Sequence, residues 1–292
     1  MARITSYIFL VFFVPMAVFA QPDLRVSGAV EWESLRINAT VSLDLASAGI
    51  RLPAGRTQGE SLISAGFLSL IRPGLMQLQV DSSSTVADLI ERGEFTMQEM
   101  DAVALGAHIV PPALSPDMRR IFSSFSISME NLSSPLIRHS RPSPVIRVLN
   151  PVSTARYTGI IIIAVDELPV HGMRSFALPV PCLFPKIWDS EMNLIYERNM
   201  LHPANTSLVR YSSLDNIFMR NHPSGLSAEL REIAGDRPLR IFAQGVFGVN
   251  PTDLIIDRSD ALLIVSSEEN RSLLTQGRVV FILDDSVLRS EF

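Results

Sequence analysis

Apolar and polar residues alternate from Leu24 to Glu33, with Val26, Gly28, Val30 and Trp32 on one side, and again from Leu35 to Leu45 through Ile37, Ala39, Val41 and Leu43. A period of two puts every second side chain on one face, so two neighbouring strands paired as a hairpin are predicted. After Pro53 the period changes: Leu62, Ile63, Gly66, Phe67, Leu70 and Ile71 recur at helical spacing until Pro73-Gly74, where the helix is expected to stop. From Leu75 to Val80, Met76, Leu78 and Val80 alternate with Gln77 and Gln79 as a strand would, and Thr85 precedes a short helical face of Val86, Leu89 and Ile90. Thr96 and Glu99 have capping-box spacing ahead of Met100, Val103, Ala104 and Ala107, which predicts a helix to about His108 ended by Pro111-Pro112. Ser115-Pro116 is read as an N-cap and first helical residue, and Phe125, Ile127 and Met129 alternate with serines as in a half-exposed strand.

Beyond a stretch at 140–154 that carries Pro142, Pro144 and Pro151, the run from Tyr157 to Val165 holds four consecutive isoleucines. β-Branched residues on both faces predict a central strand covered on both sides. Pro169, Pro179, Pro181 and Pro185 make 166–186 a long irregular loop leading to Lys186-Ile187-Trp188, with Met192 to Tyr196 continuing as a hairpin. Leu239 to Val249 and Asp253 to Ile256 read as strands, Ser259 to Val265 and Glu268 to Leu274 as short helices, and Arg278 to Leu283 as a closing strand. The fold class expected is therefore α/β (α+β): an N-terminal α+β domain at 21–139, a Pro-rich linker at 140–154 and a C-terminal α/β domain at 155–292. No fixed-period repeat or heptad series is present, which removes solenoids and coiled coils.

The first twenty residues follow a different logic. Arg3 precedes an apolar run from Tyr7 to Ala20, broken only by Pro15, and Val18 and Ala20 stand at the positions that signal peptidases read before Gln21. About 14 apolar residues fall short of the roughly 20 needed to span a bilayer, so residues 1–20 are read as a secretory signal peptide and no transmembrane span is expected in the mature chain. Cys182 is the single cysteine, so an exported chain has no internal disulfide, which suits a bacterial periplasm. The sequons at Asn38, Asn131, Asn205 and Asn270 are then chance matches.

Composition narrows the partners. With 47% hydrophobic residues and a mean hydropathy of +0.25 the chain can bury a sizeable core, while a net charge of -5 supplies no basic face for nucleic acid. Candidate chemistry is thin. His108, His139, His171, His202 and His222 lack metal-ligand spacing, and no nucleophile elbow surrounds any serine. Ser82-Ser83-Ser84 reads as a strand-to-helix cap. Gly245-Val246-Phe247-Gly248 lacks the third glycine of a nucleotide fingerprint, and Asp253, Asp257 and Asp260 are spaced as caps and strand edges. Lys186 is the only lysine, so positive charge elsewhere is arginine. No catalytic, cofactor-binding or metal-binding residue is nominated, no cofactor is expected, and the chain is read as non-enzymatic.

Several blocks of the second half stand in an order that resembles the FlgP-like envelope proteins of flagellated bacteria. These are Arg156-Tyr157-Thr158-Gly159-Ile160-Ile161, Leu178-Pro179 through Pro185-Lys186-Ile187-Trp188-Asp189, Asn193-Leu194-Ile195-Tyr196, Gly235-Asp236-Arg237-Pro238-Leu239 and Asp257-Arg258-Ser259-Asp260-Ala261. The likeness covers residues 155–285; Val165-Asp166-Glu167-Leu168 departs from its acidic-Arg-Gly turn, and no cysteine follows the signal-like segment for lipidation. The resemblance implies a structural or assembly role around the flagellar motor, in the periplasm or at the inner face of the outer membrane. Envelope or flagellar basal-body proteins would be the partners, with self-association into rings or collars. The competing expectation is a small-ligand-binding or enzymatic protein that uses the 166–185 loop as a lid or pocket wall.

Overall fold

The computed structural model describes residues 23–202, 208–220 and 222–292; the signal-peptide segment, residues 1–20, lies outside them. The chain forms two mixed α/β domains. The first runs β1 (Leu24–Glu31), β2 (Arg36–Asp44), α1 (Arg56–Met76), β3 (Gln79–Asp81), β4 (Ser84–Thr85), α2 (Val86–Glu91), α3 (Met97–Leu105), β5 (His108–Leu114), β6 (Arg120–Ser128) and α4 (Met129–Ser133). The second runs β7 (Ile160–Ala164), β8 (Leu168–Pro169), β9 (Phe176–Ala177), β10 (Ile187–Asp189), β11 (Leu194–Tyr196), β12 (Arg210–Ser212), α5 (Ala228–Ala234), β13 (Leu239–Phe242) and β14 (Gly245–Phe247). It continues through β15 (Asp253–Ile256), α6 (Arg258–Val265), α7 (Glu268–Thr275) and β16 (Val279–Leu283), and the chain then turns into β17 (Arg289–Glu291).

The predicted hairpin is β1–β2, antiparallel with Val26 beside Val41 and Val30 beside Ile37. It sits in a five-stranded sheet ordered β17-β1-β2-β6-β5. α1 covers one face of this sheet with Ile63, Phe67, Ile71 and Leu75, four residues apart and all buried, and Phe67 stacks on Phe125 at 3.8 Å. This stripe overrides Pro73. The helix continues to Met76 instead of stopping, because a proline in the last turn forfeits one backbone bond while Leu75 gains full burial. The strand expected from Leu75 therefore shortens to β3.

Pro111-Pro112 also fail to break the chain. They lie within β5, at a bulge between Val110 and Ala113, on the edge of the sheet where a missing N–H costs no ladder bond. The predicted helix accordingly ends earlier, at Leu105. Ser115-Pro116 starts a turn rather than a helix: Ser115 Oγ accepts from Arg120 N at 3.0 Å and joins β5 to β6.

In the second domain β7 is buried along its whole length, as four isoleucines predict, at the centre of an all-parallel sheet ordered β12-β16-β7-β13. A second sheet, β11-β10-β15-β14, pairs β10 with β15 in parallel and the outer strands antiparallel. The single strand expected over Leu239 to Val249 is two strands in two sheets. Ala243 N still donates to Ile163 O at 2.9 Å, whereas Gln244 N turns to Ile255 O at 2.8 Å.

The two domains share one hydrophobic core, from Val30 and Phe67 through Ile187 and Phe281. β17 ties them together, since it continues the chain of the second domain and pairs antiparallel with β1 of the first. The Pro-rich 140–154 segment has no regular structure but is fastened along α6 and α7: Val152 N donates to Ser266 Oγ at 3.0 Å and Thr154 Oγ1 to Leu263 O at 3.1 Å.

Candidate functional site

The most elaborate polar arrangement lies at the seam between domains. The β3–β4 hairpin docks there through three backbone bonds: Leu183 N to Gln79 O at 3.1 Å, Phe184 N to Val80 O at 2.8 Å and Asn250 N to Ser82 O at 2.9 Å. Asp253, fully buried at 0% exposure, is the centre of the contact. Its Oδ2 accepts from Ser82 Oγ at 3.0 Å and Trp188 Nε1 at 3.4 Å, and its Oδ1 from Lys186 N at 3.1 Å and Thr252 Oγ1 at 3.2 Å. Burial pushes its carboxyl above the usual aspartate range, against the opposing pull of these donors. Gly248 completes the fit with φ +118°; a Cβ there would stand 2.3 Å from that of Ser82.

Beside it, the Tyr211 hydroxyl donates to Cys182 O at 2.7 Å and accepts from Cys182 N at 3.1 Å, and its ring meets Trp32 and Phe281 edge-on. The Cys182 thiol is pushed far up by burial, so it has neither the access nor the thiolate character of a nucleophile. Ser82 is thus a domain contact rather than a cap; the cap is Thr85, in a complete capping box with Asp88. Asp257 caps α6 by accepting from Ser259 N at 2.8 Å and is held below the usual carboxylate range, chiefly by the Ser259 hydroxyl. Asp253 therefore stands apart at the seam, while Asp257 caps α6 and Asp260 lies in the first turn of the same helix, where burial and the nearby Asp257 charge raise its carboxyl. Among the described residues no group of three His, Cys, Asp or Glu side chains is placed to hold a metal.

The histidines are also dispersed. His139 Nε2 lies 2.8 Å from Leu201 O, His222 Nδ1 lies 2.7 Å from Ser224 Oγ, and His171 meets the edge of Phe247. Asn270, at one of the sequons, is buried and donates to Ala155 O at 2.9 Å. The 166–185 loop is strapped down: His171 N donates to Val246 O at 2.8 Å and Val180 N to Pro251 O at 3.0 Å. Its Val180 and Pro181 line a cavity of about 360 Å³ between the domains, together with Trp32, Gln77, Asn250 and Phe292.

Large apolar side chains stand exposed on the surface of both domains. On β5, Ile109 is 51% exposed and Val110 beside it is exposed; Leu105 before the strand and Met118 in the turn after it are exposed too. On the second domain Phe242 at the end of β13, Phe218, and Met173 and Phe176 of the β8–β9 hairpin are exposed. Hydrophobic patterning alone cannot flag these residues, because exposure depends on which strand ends up at an edge. No helix among the described residues is long and apolar enough to cross a membrane.

Comparison with known proteins gives two matches, in chain order. Residues 23–135 match the family model of the N-terminal domain of Treponema pallidum Tp0624, and residues 159–285 match the model of its second domain. No curated protein matches the chain. The second match takes in the blocks that resemble FlgP-like proteins from Gly159 onward, but the family it names is Tp0624. The chain thus carries, in the same order, two domains similar to the first two domains of Tp0624.

Proposed function

We propose that the protein is an exported, periplasmic structural or assembly component of a bacterial envelope that works by protein association, as a non-enzymatic accessory of the flagellar motor or of the cell envelope. The observation that carries this reading is the set of exposed apolar side chains on open sheet edges, Ile109 and Val110 on β5 and Phe242 on β13, beside interior polar groups committed to holding the domains together. Large apolar residues on an unpaired edge favour a protein partner over solvent. The signal-like residues 1–20, the FlgP-like blocks and the bacterial origin named for the matching family support the compartment.

The test is in-cell cross-linking of a tagged full chain, followed by mass spectrometry of what co-purifies from detergent-solubilised envelope. Flagellar basal-body, collar or other envelope proteins are expected. Recovery of the chain alone from the soluble periplasmic fraction would contradict the proposal. The cavity bordered by Val180 and Pro181 favours a second reading, in which the loop walls a small-ligand site. A ligand that raises the melting temperature and is lost on Pro181→Trp would support that reading instead.

A further inference from the structure

The chain's two tryptophans use their indole N–H groups differently. Trp188 Nε1 donates to Asp253 Oδ2 at 3.4 Å, whereas Trp32, 4% exposed and in edge contact with Tyr211, has no partner for its N–H among the described residues. The unpartnered side-chain nitrogens sealed from water among those residues are His139 Nδ1 and Arg231 Nε, so Trp32 Nε1 is unpartnered without being sealed. The space that Trp32 borders is the cavity of about 360 Å³ between the domains.

Its walls are mainly apolar: Val30 from β1, Leu78 after α1, Val180 and Pro181 from the 166–185 loop and Val287 from the segment before β17. Gln77 and Asn250 add two carboxamides, and neither side chain has a hydrogen-bond partner among the described residues. A carboxamide donates and accepts, while an indole only donates. Charge is balanced at this site, since the lining Arg289 and Glu291 are both exposed and lie 3.9 Å apart, and the other lining side chains are uncharged. The volume is at the low end for small-molecule sites, which leaves room for one or two rings.

We infer that this cavity binds a small neutral ring compound with an amide edge, of the class of lactams, cyclic dipeptides and pyrimidine bases. Its ring would cover Val30, Leu78, Val180 and Pro181, a carbonyl would accept from Trp32 Nε1, and its amide edge would match the carboxamide of Gln77 or Asn250. Water that solvates these groups is displaced without loss only by a ligand that reproduces its hydrogen bonds. A plain hydrocarbon chain would fit the apolar walls and strand the donor and both amides. A charged ligand would lose its hydration with no uncommitted countercharge to meet. This assignment rests on the second reading above, in which the 166–185 loop walls a ligand site, and names the ligand's chemistry.

The test titrates cyclo(Leu-Pro), caprolactam and thymine into the nitrogen-15-labelled full chain and follows the two indole N–H resonances by NMR, with linear Leu-Pro, charged at both ends, as the counterpart. At least one cyclic amide should shift the Trp32 resonance saturably, leave that of Trp188 in place and raise the melting temperature. Its binding should weaken by about tenfold or more in Gln77→Ala/Asn250→Ala, a change that removes two side chains without a partner in the fold and so retains the melting temperature of the free chain. Linear Leu-Pro binding as tightly as the cyclic form, or a Trp32 shift that survives both Gln77→Ala/Asn250→Ala and Pro181→Trp, overturns the assignment. A charged compound that raises the melting temperature and is lost on Pro181→Trp would overturn the neutral-amide chemistry while leaving the ligand site standing. A Trp32 resonance and a melting temperature unmoved by all four compounds at millimolar concentration would overturn the assignment and contradict the ligand reading with it.

Discussion

At the scale of single residues, Asp253 shows how one buried carboxylate sets a domain contact. Removing it by Asp253→Ala would strand Lys186 N–H, the Ser82 hydroxyl and Trp188 Nε1, at a cost of about 3 kcal/mol or more in urea unfolding. Asp253→Asn keeps an acceptor for Lys186 N and should cost much less. Burial raises the folded-state pKa of Asp253 above its unfolded value, so the native state holds the proton more tightly. Its contribution to stability is therefore greatest at acid pH and falls as pH rises from the ordinary aspartate range through the raised value. Asp253→Asn should flatten that part of the stability profile; an unchanged slope would mean that the carboxyl is not the titrating group. The sequence reads Asp253 as a cap or strand-edge residue, because Ser82, its decisive partner, lies 171 positions away. The local capping roles of Asp257, Thr85 and Thr96 need only neighbours three residues off or fewer, and those of Asp257 and Thr96 are legible from spacing alone.

At the scale of elements, short-range rules work wherever burial agrees with them. Thr96 Oγ1 accepts from Glu99 N at 3.1 Å and Glu99 Oε2 from Thr96 N at 2.8 Å, completing the predicted box at the start of α3. Thr96→Ala should lower stability by about 1 kcal/mol, measurable by urea unfolding followed by circular dichroism. The rules fail at Pro73 and at Pro111-Pro112, where a buried helical stripe and a sheet edge respectively tolerate the proline, and at β17, too short and too exposed to show alternation. What holds β17 is the residue after it. Phe292 exchanges backbone bonds with Gly28, N to O at 3.0 Å and 3.2 Å, and its ring fills the space that a Cβ on Gly28 or Gly74 would need. Gly74→Ala favours the helix by about 1 kcal/mol in intrinsic propensity. It would nevertheless put a methyl 2.4 Å from the ring, which must move. Faster amide exchange at Gly28 and Phe292 with α1 intact is expected; unchanged exchange at both would show that the ring does not secure the strand.

At the scale of the whole molecule, the mixed α/β class and the central β7 were readable from hydrophobic periods, whereas the way the domains join was not. A shared core, a β-hairpin seated in the opposite domain and a strand returned to the first sheet are all contacts between distant segments. The exposed edges belong to the same category, since topology alone decides that β5 and β13 are outermost. Protein association is the claim that draws these features together, and site-specific photo-cross-linking in living cells tests it most directly. A photoreactive residue would replace Ile109, Phe218 or Phe242, with Asn38 on the polar face of the first sheet as the control position. Adducts larger than the chain itself are expected, strongest from position 242, and mass spectrometry should identify them as envelope proteins. Unreacted chain at all three apolar positions, or adducts no stronger than from position 38, would contradict it.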